Sequence, residues 1–183
     1  MVQTATTVEV VHREIRIDAD PATVFEFLID PAKMVRWMGT EAVLDPRPGG
    51  DYRVNVTGRE RVSGEVVEIV PDRRLVFTWG WEDRALPVGP GESTVEISLE
   101  PDGDGTLLRL THRDLPPGMH TFHRLGWDYA LPRLALVAAD RDPGPDPLRS
   151  ILRGTQMIAR SLPPRYLYRF GRRRLRPLRS RRP

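Results

Sequence analysis

With 183 residues, 39% apolar and 29% charged, the chain has the size and composition of one soluble globular domain plus an appendage. It has no cysteine, which excludes disulfide scaffolds, thiolate zinc sites and cysteine nucleophiles. The net charge of +3 conceals a division: residues 1–140 carry 15 basic and 23 acidic side chains, a net of −8, whereas residues 141–183 carry 13 basic and 2 acidic, a net of +11. The basic isoelectric point of about 9.8 therefore belongs to the tail. No uncharged apolar run approaches the ~18 residues of a membrane span. The N-terminal stretch lacks the basic start and apolar middle of a signal peptide, so the expected location is the cytoplasm.

Val8 to Ile17 reads as a first strand, with Ile15 and Ile17 on one face and Glu14 and Arg16 on the other. Asp20-Pro21 and Asp30-Pro31 each pair a cap with proline at the first helical position, predicting two short helices in tandem. Val24, Phe25 and Leu28 give the first an apolar side; Met34, Trp37 and Met38 do so for the second. Strands follow at Thr40–Asp45, around Tyr52, Val54 and Val56, and at Val62–Val70, separated by Gly49-Gly50 and the polar stretch from Gly58 to Arg61. From Arg74 to Glu82, Leu75, Phe77, Trp79 and Trp81 all point one way. Leu86 to Gly91 is a loop. Val95, Ile97 and Leu99 alternate with polar residues, residues 102–105 form a hairpin loop, and Thr106, Leu108, Leu110 and His112 share a face.

After Gly118 the period changes to about 3.6. Met119, Phe122, Gly126, Tyr129/Ala130, Arg133/Leu134 and Val137 form one stripe of a long helix. Pro132 inside it predicts a kink between Asp128 and Pro132. One strand, two short helices, about six antiparallel strands and one long helix make an α+β protein. Each strand has one wet face, so the sheet must curl around the single long helix, and an internal cavity is the expected leftover.

The ordered runs IRIDADPATVFEFLIDPAKMVRWMG, GGDYRV, SGEVVEIVPDRRLVFTWGW, STVEISLEP, GTLLRLTHRDLP and HRLGWDYALPRL resemble the START-like superfamily labelled SRPBCC. Within it they are similar to the activator of Hsp90 ATPase homologue type, named after the C-terminal half of a eukaryotic co-chaperone. The resemblance covers roughly residues 8–140. It implies the helix-grip fold of START and birch-pollen-allergen domains, with an internal hydrophobic pocket. It also implies association with a chaperone and with stress response, although the chain lacks any recognisable counterpart of the co-chaperone's N-terminal half. The superfamily's functions run from lipid and hormone binding to polyketide cyclisation.

Trp37, Trp79, Trp81 and Trp127 are aromatic anchors, readable as ordinary core or as the lining of a ligand pocket; Phe27, Phe77, Leu99, Leu110 and Phe122 would be its secondary walls. His112 is readable as a hydrogen-bonded structural histidine, as a polar handle on a ligand, or as a general acid or base with Asp128 or Tyr129 as partners on the facing helix. His120 and His123, three apart near a helix start, lack a third ligand, so surface or capping roles are expected rather than a metal site. No nucleophile elbow, Walker loop, dinucleotide fingerprint or zinc motif is present, and no cofactor is expected.

Residues 1–141 are thus read as the helix-grip domain and 142–183 as a basic tail. Within the tail, residues 142–147 form a linker. Leu148, Ile151, Leu152, Thr155, Ile158, Ala159 and Leu162 suggest a short amphipathic helix over about 147–162. The arginine-rich end, interleaved with Tyr166, Tyr168 and Phe170, has the composition of a segment that contacts anionic membrane or nucleic acid non-specifically; a solvated extension and one folded back on the acidic domain are the alternatives. The leading functional expectation is binding of a small hydrophobic or amphipathic ligand. A cyclase- or hydrolase-type enzyme using His112 and a chaperone-interaction module are the alternatives.

Overall fold

The computed structural model describes residues 10–83, 86–149, 156 and 159–166. In chain order the elements are β1 (Val11–Ile17), α1 (Pro21–Ile29), α2 (Pro31–Trp37), β2 (Glu41–Leu44), β3 (Asp51–Asn55), β4 (Arg61–Val70), β5 (Arg74–Trp79), β6 (Ser93–Asp102), β7 (Gly105–Arg113) and α3 (His120–Ala138), then a 3-10 turn at Pro147–Arg149. All strand pairs are antiparallel, in the order β1-β7-β6-β5-β4-β3-β2. The first strand lies beside the last, so α1 and α2 carry the chain from one edge of the sheet to the other. This is the α+β helix-grip arrangement.

The two short helices start where their Asp-Pro pairs lie. Asp20 accepts from the backbone N–H of Thr23 at 2.9 Å. Asp30 ends α1 and caps α2, accepting from the N–H of Ala32 at 2.7 Å and of Lys33 at 3.1 Å. Trp37 Nε1 donates to the carbonyl of Phe27 at 3.0 Å, which ties the end of α2 to α1. A β-bulge between Val66 and Glu68 interrupts the β4–β5 register and helps the sheet to curl.

The inward faces of β5, β6 and β7 match their alternation: Leu75, Phe77, Trp79, Val95, Ile97, Leu99, Leu108, Leu110 and His112 are all buried. Two details differ. Val76, on the opposite face of β5, is also buried. Strand β5 stops at Trp79, and Trp81 instead makes an isolated bridge to Val62. The reason lies at Gly80, where the loop after β5 folds back in close backbone contact. A Cβ on Gly80 would lie 1.5 Å from the carbonyl oxygen of Gly89. Trp81 N–H donates to the carbonyl of Val88 at 2.7 Å, and Leu86 and Val88 of that loop are buried. Gly80→Ala is therefore expected to destabilise the protein by about 3 kcal/mol, since backbone rather than a flexible side chain must yield. Urea denaturation measures this, and a loss below about 1 kcal/mol would contradict the close approach.

Helix α3 runs through Pro132 without ending. Its buried residues are Phe122, His123, Trp127, Ala130, Leu131, Arg133, Leu134, Val137 and Ala138. The inward stripe thus passes through His123 and Trp127, not through Gly126, which is exposed. The helix rotates to bury its one tryptophan, the largest apolar side chain available on it.

Candidate functional site

Between the end of α2, the end of β5 and the first half of α3 lies a cavity of about 140 Å³. Trp37, Trp79, Trp81, Phe122, His123 and Trp127 form its walls, with Val56 and Ala130 between them. The rings touch edge to face: Trp79 and Trp81 centroids are 6.4 Å apart at 82°, and Trp81 and Phe122 are 5.9 Å apart at 66°. Leu125 and Gly126 also line the cavity and are exposed, so its mouth opens along that side of α3.

The remaining sequence-derived wall residues lie elsewhere in the core. Phe77 stacks on Tyr52 at 3.9 Å; Phe27 sits under the Lys33 and Arg36 side chains; Leu99 and Leu110 pair across β6 and β7 with Leu108 and Ile97. All four are buried, but none lines the cavity.

His112 is fully buried, one layer behind the wall, with its ring 6.4 Å from that of Trp79 and 6.1 Å from that of Trp127. Its two nitrogens have fixed roles. Trp127 Nε1–H can only donate, and it donates to His112 Nδ1 at 3.1 Å. Nδ1 therefore carries no proton, and Nε2–H donates to Ser93 Oγ at 2.9 Å. The Ser93 hydroxyl in turn donates to the carbonyl of Trp79 at 2.8 Å. This chain of three hydrogen bonds ties α3 to β5, β6 and β7. Burial, reinforced by the nearby His123, holds the His112 pKa well below the usual histidine value, so the ring is neutral.

The expected partners of His112 are engaged elsewhere. Asp128 is on the outer side of α3, paired with Arg13 through a 3.1 Å hydrogen bond from Nη2, and with Arg124 at 3.6 Å. Tyr129 points the other way along the helix and donates its hydroxyl to Asp146 at 2.7 Å. An acid–base pair of His112 with Asp128 or Tyr129 is thus corrected: the turn that buries Trp127 carries both neighbours away from β7.

His120 and His123 also diverge. His120 Nε2 lies 3.0 Å from the Thr121 hydroxyl. His123 is buried, 4.8 Å ring to ring from His112, and its Nδ1–H donates to the carbonyl of Met119 at 2.9 Å. Burial lowers its pKa to about 4, against the smaller opposing effect of that hydrogen bond. Among the described residues no group of three His, Cys, Asp or Glu side chains is placed to hold a metal ion.

The segment read as a linker is a strap laid against α3. Arg133, buried on the helix, donates to the carbonyls of Pro143 at 3.0 Å and Gly144 at 3.2 Å. Asp146, its side chain only 3% exposed, receives the Tyr129 hydroxyl and the backbone N–H of Leu148 and lies 3.6 Å from Arg149. Burial and this carboxylate push the Tyr129 phenol pKa up. Proline and glycine suggest a linker in sequence, yet here their carbonyls accept from Nη1 and Nη2 of a buried guanidinium. Beyond it, Leu162 is buried, and Ala159 and Tyr166 pack against the core. The described part of the tail therefore folds back on the domain, and Asp146, Leu148 and Ser161 complete the cavity wall. Residues 150–155 and 157–158 of the expected amphipathic helix and the arginine-rich residues 167–183 lie outside the described residues. Among the described residues no helix is long and apolar enough to cross a membrane.

A curved antiparallel sheet, a single gripping helix and an aromatic cavity between them define an SRPBCC-type helix-grip domain. The family model described as activator of Hsp90 ATPase homolog 1-like protein matches residues 18–139, and the chain belongs to that family. The solution structure of an AHSA1-like protein from Rhizobium etli is 47% identical, covering 80% of this chain and 92% of that one, with a TM-score of 0.62. The crystal structure of an AHSA1 protein from Silicibacter pomeroyi is 30% identical over 72% of this chain and 98% of that one, with a TM-score of 0.62. That of CalU16 from Micromonospora echinospora is 27% identical over 84% and 86%, with a TM-score of 0.57. The search of curated proteins finds no match. The strap with its Asp146, and Leu148 and Ser161 after it, lie beyond the stretch that the family model covers.

Proposed function

We propose that this protein binds a small apolar or amphipathic molecule in the cavity beneath α3. One observation carries the reading: the wall is built from four tryptophans and a phenylalanine, yet they leave about 140 Å³ unfilled and open at Leu125 and Gly126. Protein interiors are otherwise close-packed, and an apolar space of about 150 Å³ is enough to hold benzene. His112 supports binding rather than proton transfer, because both of its nitrogens are occupied within the protein. The fold adds support, since helix-grip domains of this type often enclose hydrophobic ligands.

Titration with ethylbenzene, followed by tryptophan fluorescence, tests the reading. Saturable binding is expected. Ala130→Phe should place a ring in the cavity and weaken binding at least tenfold, while leaving thermal stability unchanged or raised. Equal affinity in the variant, or no binding by the parent, would refute the proposal.

A further inference from the structure

The chain has four tryptophans, and their indole N–H groups divide evenly. Trp37 donates to the carbonyl of Phe27, and Trp127 donates to His112. Trp79 Nε1 and Trp81 Nε1 are buried and have no partner. His123 presents a third such atom. Its Nδ1–H is committed to the carbonyl of Met119, which leaves Nε2 as a buried lone pair with no donor. Most buried polar atoms in proteins are paired; Asn55 Oδ1, Arg74 Nε and Arg133 Nε also lack a hydrogen-bond partner, but these three are distinguished by sharing one neighbourhood. All three belong to residues that line the aromatic cavity, each nitrogen set just behind its surface, so a ligand reaches them by parting the rings. Two are obligate donors and one is an acceptor.

We infer that the cavity takes an uncharged, single-ring molecule bearing a carbonyl-type oxygen and a hydroxyl group. The oxygen accepts from the indole N–H groups of Trp79 and Trp81, and the hydroxyl donates to His123 Nε2. The inference rests on the ligand-binding reading above and gives that ligand its chemistry. Size follows from the cavity volume, which is comparable to a benzene site. Lack of charge follows from the walls: among the described residues no cation lines the cavity and both neighbouring histidines are neutral, which disfavours an anion, while the Asp146 carboxylate is already engaged by the Tyr129 hydroxyl, the Leu148 N–H and Arg149 and leaves no free charge for a cation. The same two indoles and the histidine set specificity, because a ligand lacking either group leaves buried atoms unpaired.

Four probes of one ring size separate the contributions: ethylbenzene, acetophenone, 4-ethylphenol and 4′-hydroxyacetophenone. Each polar group is expected to tighten binding roughly five- to tenfold, so that 4′-hydroxyacetophenone binds best. In the nitrogen-15-labelled parent protein, acetophenone should move the indole N–H signals of Trp79 and Trp81 downfield and leave that of Trp37 in place. The phenol should shift His123 Nε2. His123→Phe should remove the advantage of the hydroxyl and keep that of the carbonyl. If all four bind with affinities that follow apolarity alone, and the indole signals of Trp79 and Trp81 respond no more to the ketone than to ethylbenzene, the inference fails while the ligand-binding reading stands. If none binds, both fail.

Discussion

Replacing His112 with alanine is expected to destabilise the domain by about 4 kcal/mol. The side chain is fully buried, so the change opens a void among Trp79, Trp127 and His123. It also strips Trp127 Nε1–H of its acceptor and Ser93 Oγ of its donor. A buried donor left unpaired costs about 1–3 kcal/mol beyond the void itself. Ser93→Ala removes a smaller group but orphans His112 Nε2–H, and about 2 kcal/mol is expected. Because both substitutions break one hydrogen-bond chain, the double variant should lose clearly less than the sum of the two. Urea denaturation at pH 7.5 gives all three values. Additive losses, or a loss under about 1 kcal/mol for His112→Ala, would contradict the chain of bonds from Trp127 to the Trp79 carbonyl.

Mild acid is the second large perturbation. A histidine whose folded-state pKa lies below its unfolded value stays neutral while the unfolded chain takes up a proton. Its stability contribution is complete above about pH 6.5 and is lost as the pH falls toward the folded value. For His123 that window runs from about 6.5 to about 4, which corresponds to roughly 3 kcal/mol. His112 titrates in the same direction and adds to the loss. Urea midpoints are therefore expected to fall steeply between pH 6.5 and 4.5, and His123→Leu should flatten the slope by about one proton. A midpoint independent of pH over that range would contradict two buried neutral histidines.

Much of this arrangement was legible in the residues. The Asp-Pro pairs predicted both short helices, because proline and a capping carboxylate act locally. The alternation of Leu75, Phe77 and Trp79 predicted an inward aromatic face, and that of Leu108, Leu110 and His112 predicted an inward histidine. Ser93 was not singled out, since nothing local distinguishes a serine at the start of a strand; it matters because β6 lies between β5 and β7. Most of the stripe expected on α3, Phe122 included, is buried, and only its Gly126 faces outward. Starting from Trp127 gives Met119, His123, Ala130, Leu134 and Val137, which is the buried stripe. The strap reads as a linker in sequence because the partner of its carbonyls, Arg133, lies ten positions before Pro143 on another element. A lone arginine on an otherwise apolar helix face was the available signal. The cavity itself was expected from the order of elements, but its position follows from which side chains fail to fill the space, and that is a property of packing.

Crystals soaked with bromobenzene test the central claim most directly, since bromine is located by its anomalous signal. The account predicts one dominant bromine peak enclosed by Trp79, Trp81, Phe122 and Trp127, absent from crystals of Ala130→Phe. A cavity that stays empty at saturating bromobenzene, or a dominant peak elsewhere on the protein, would contradict it.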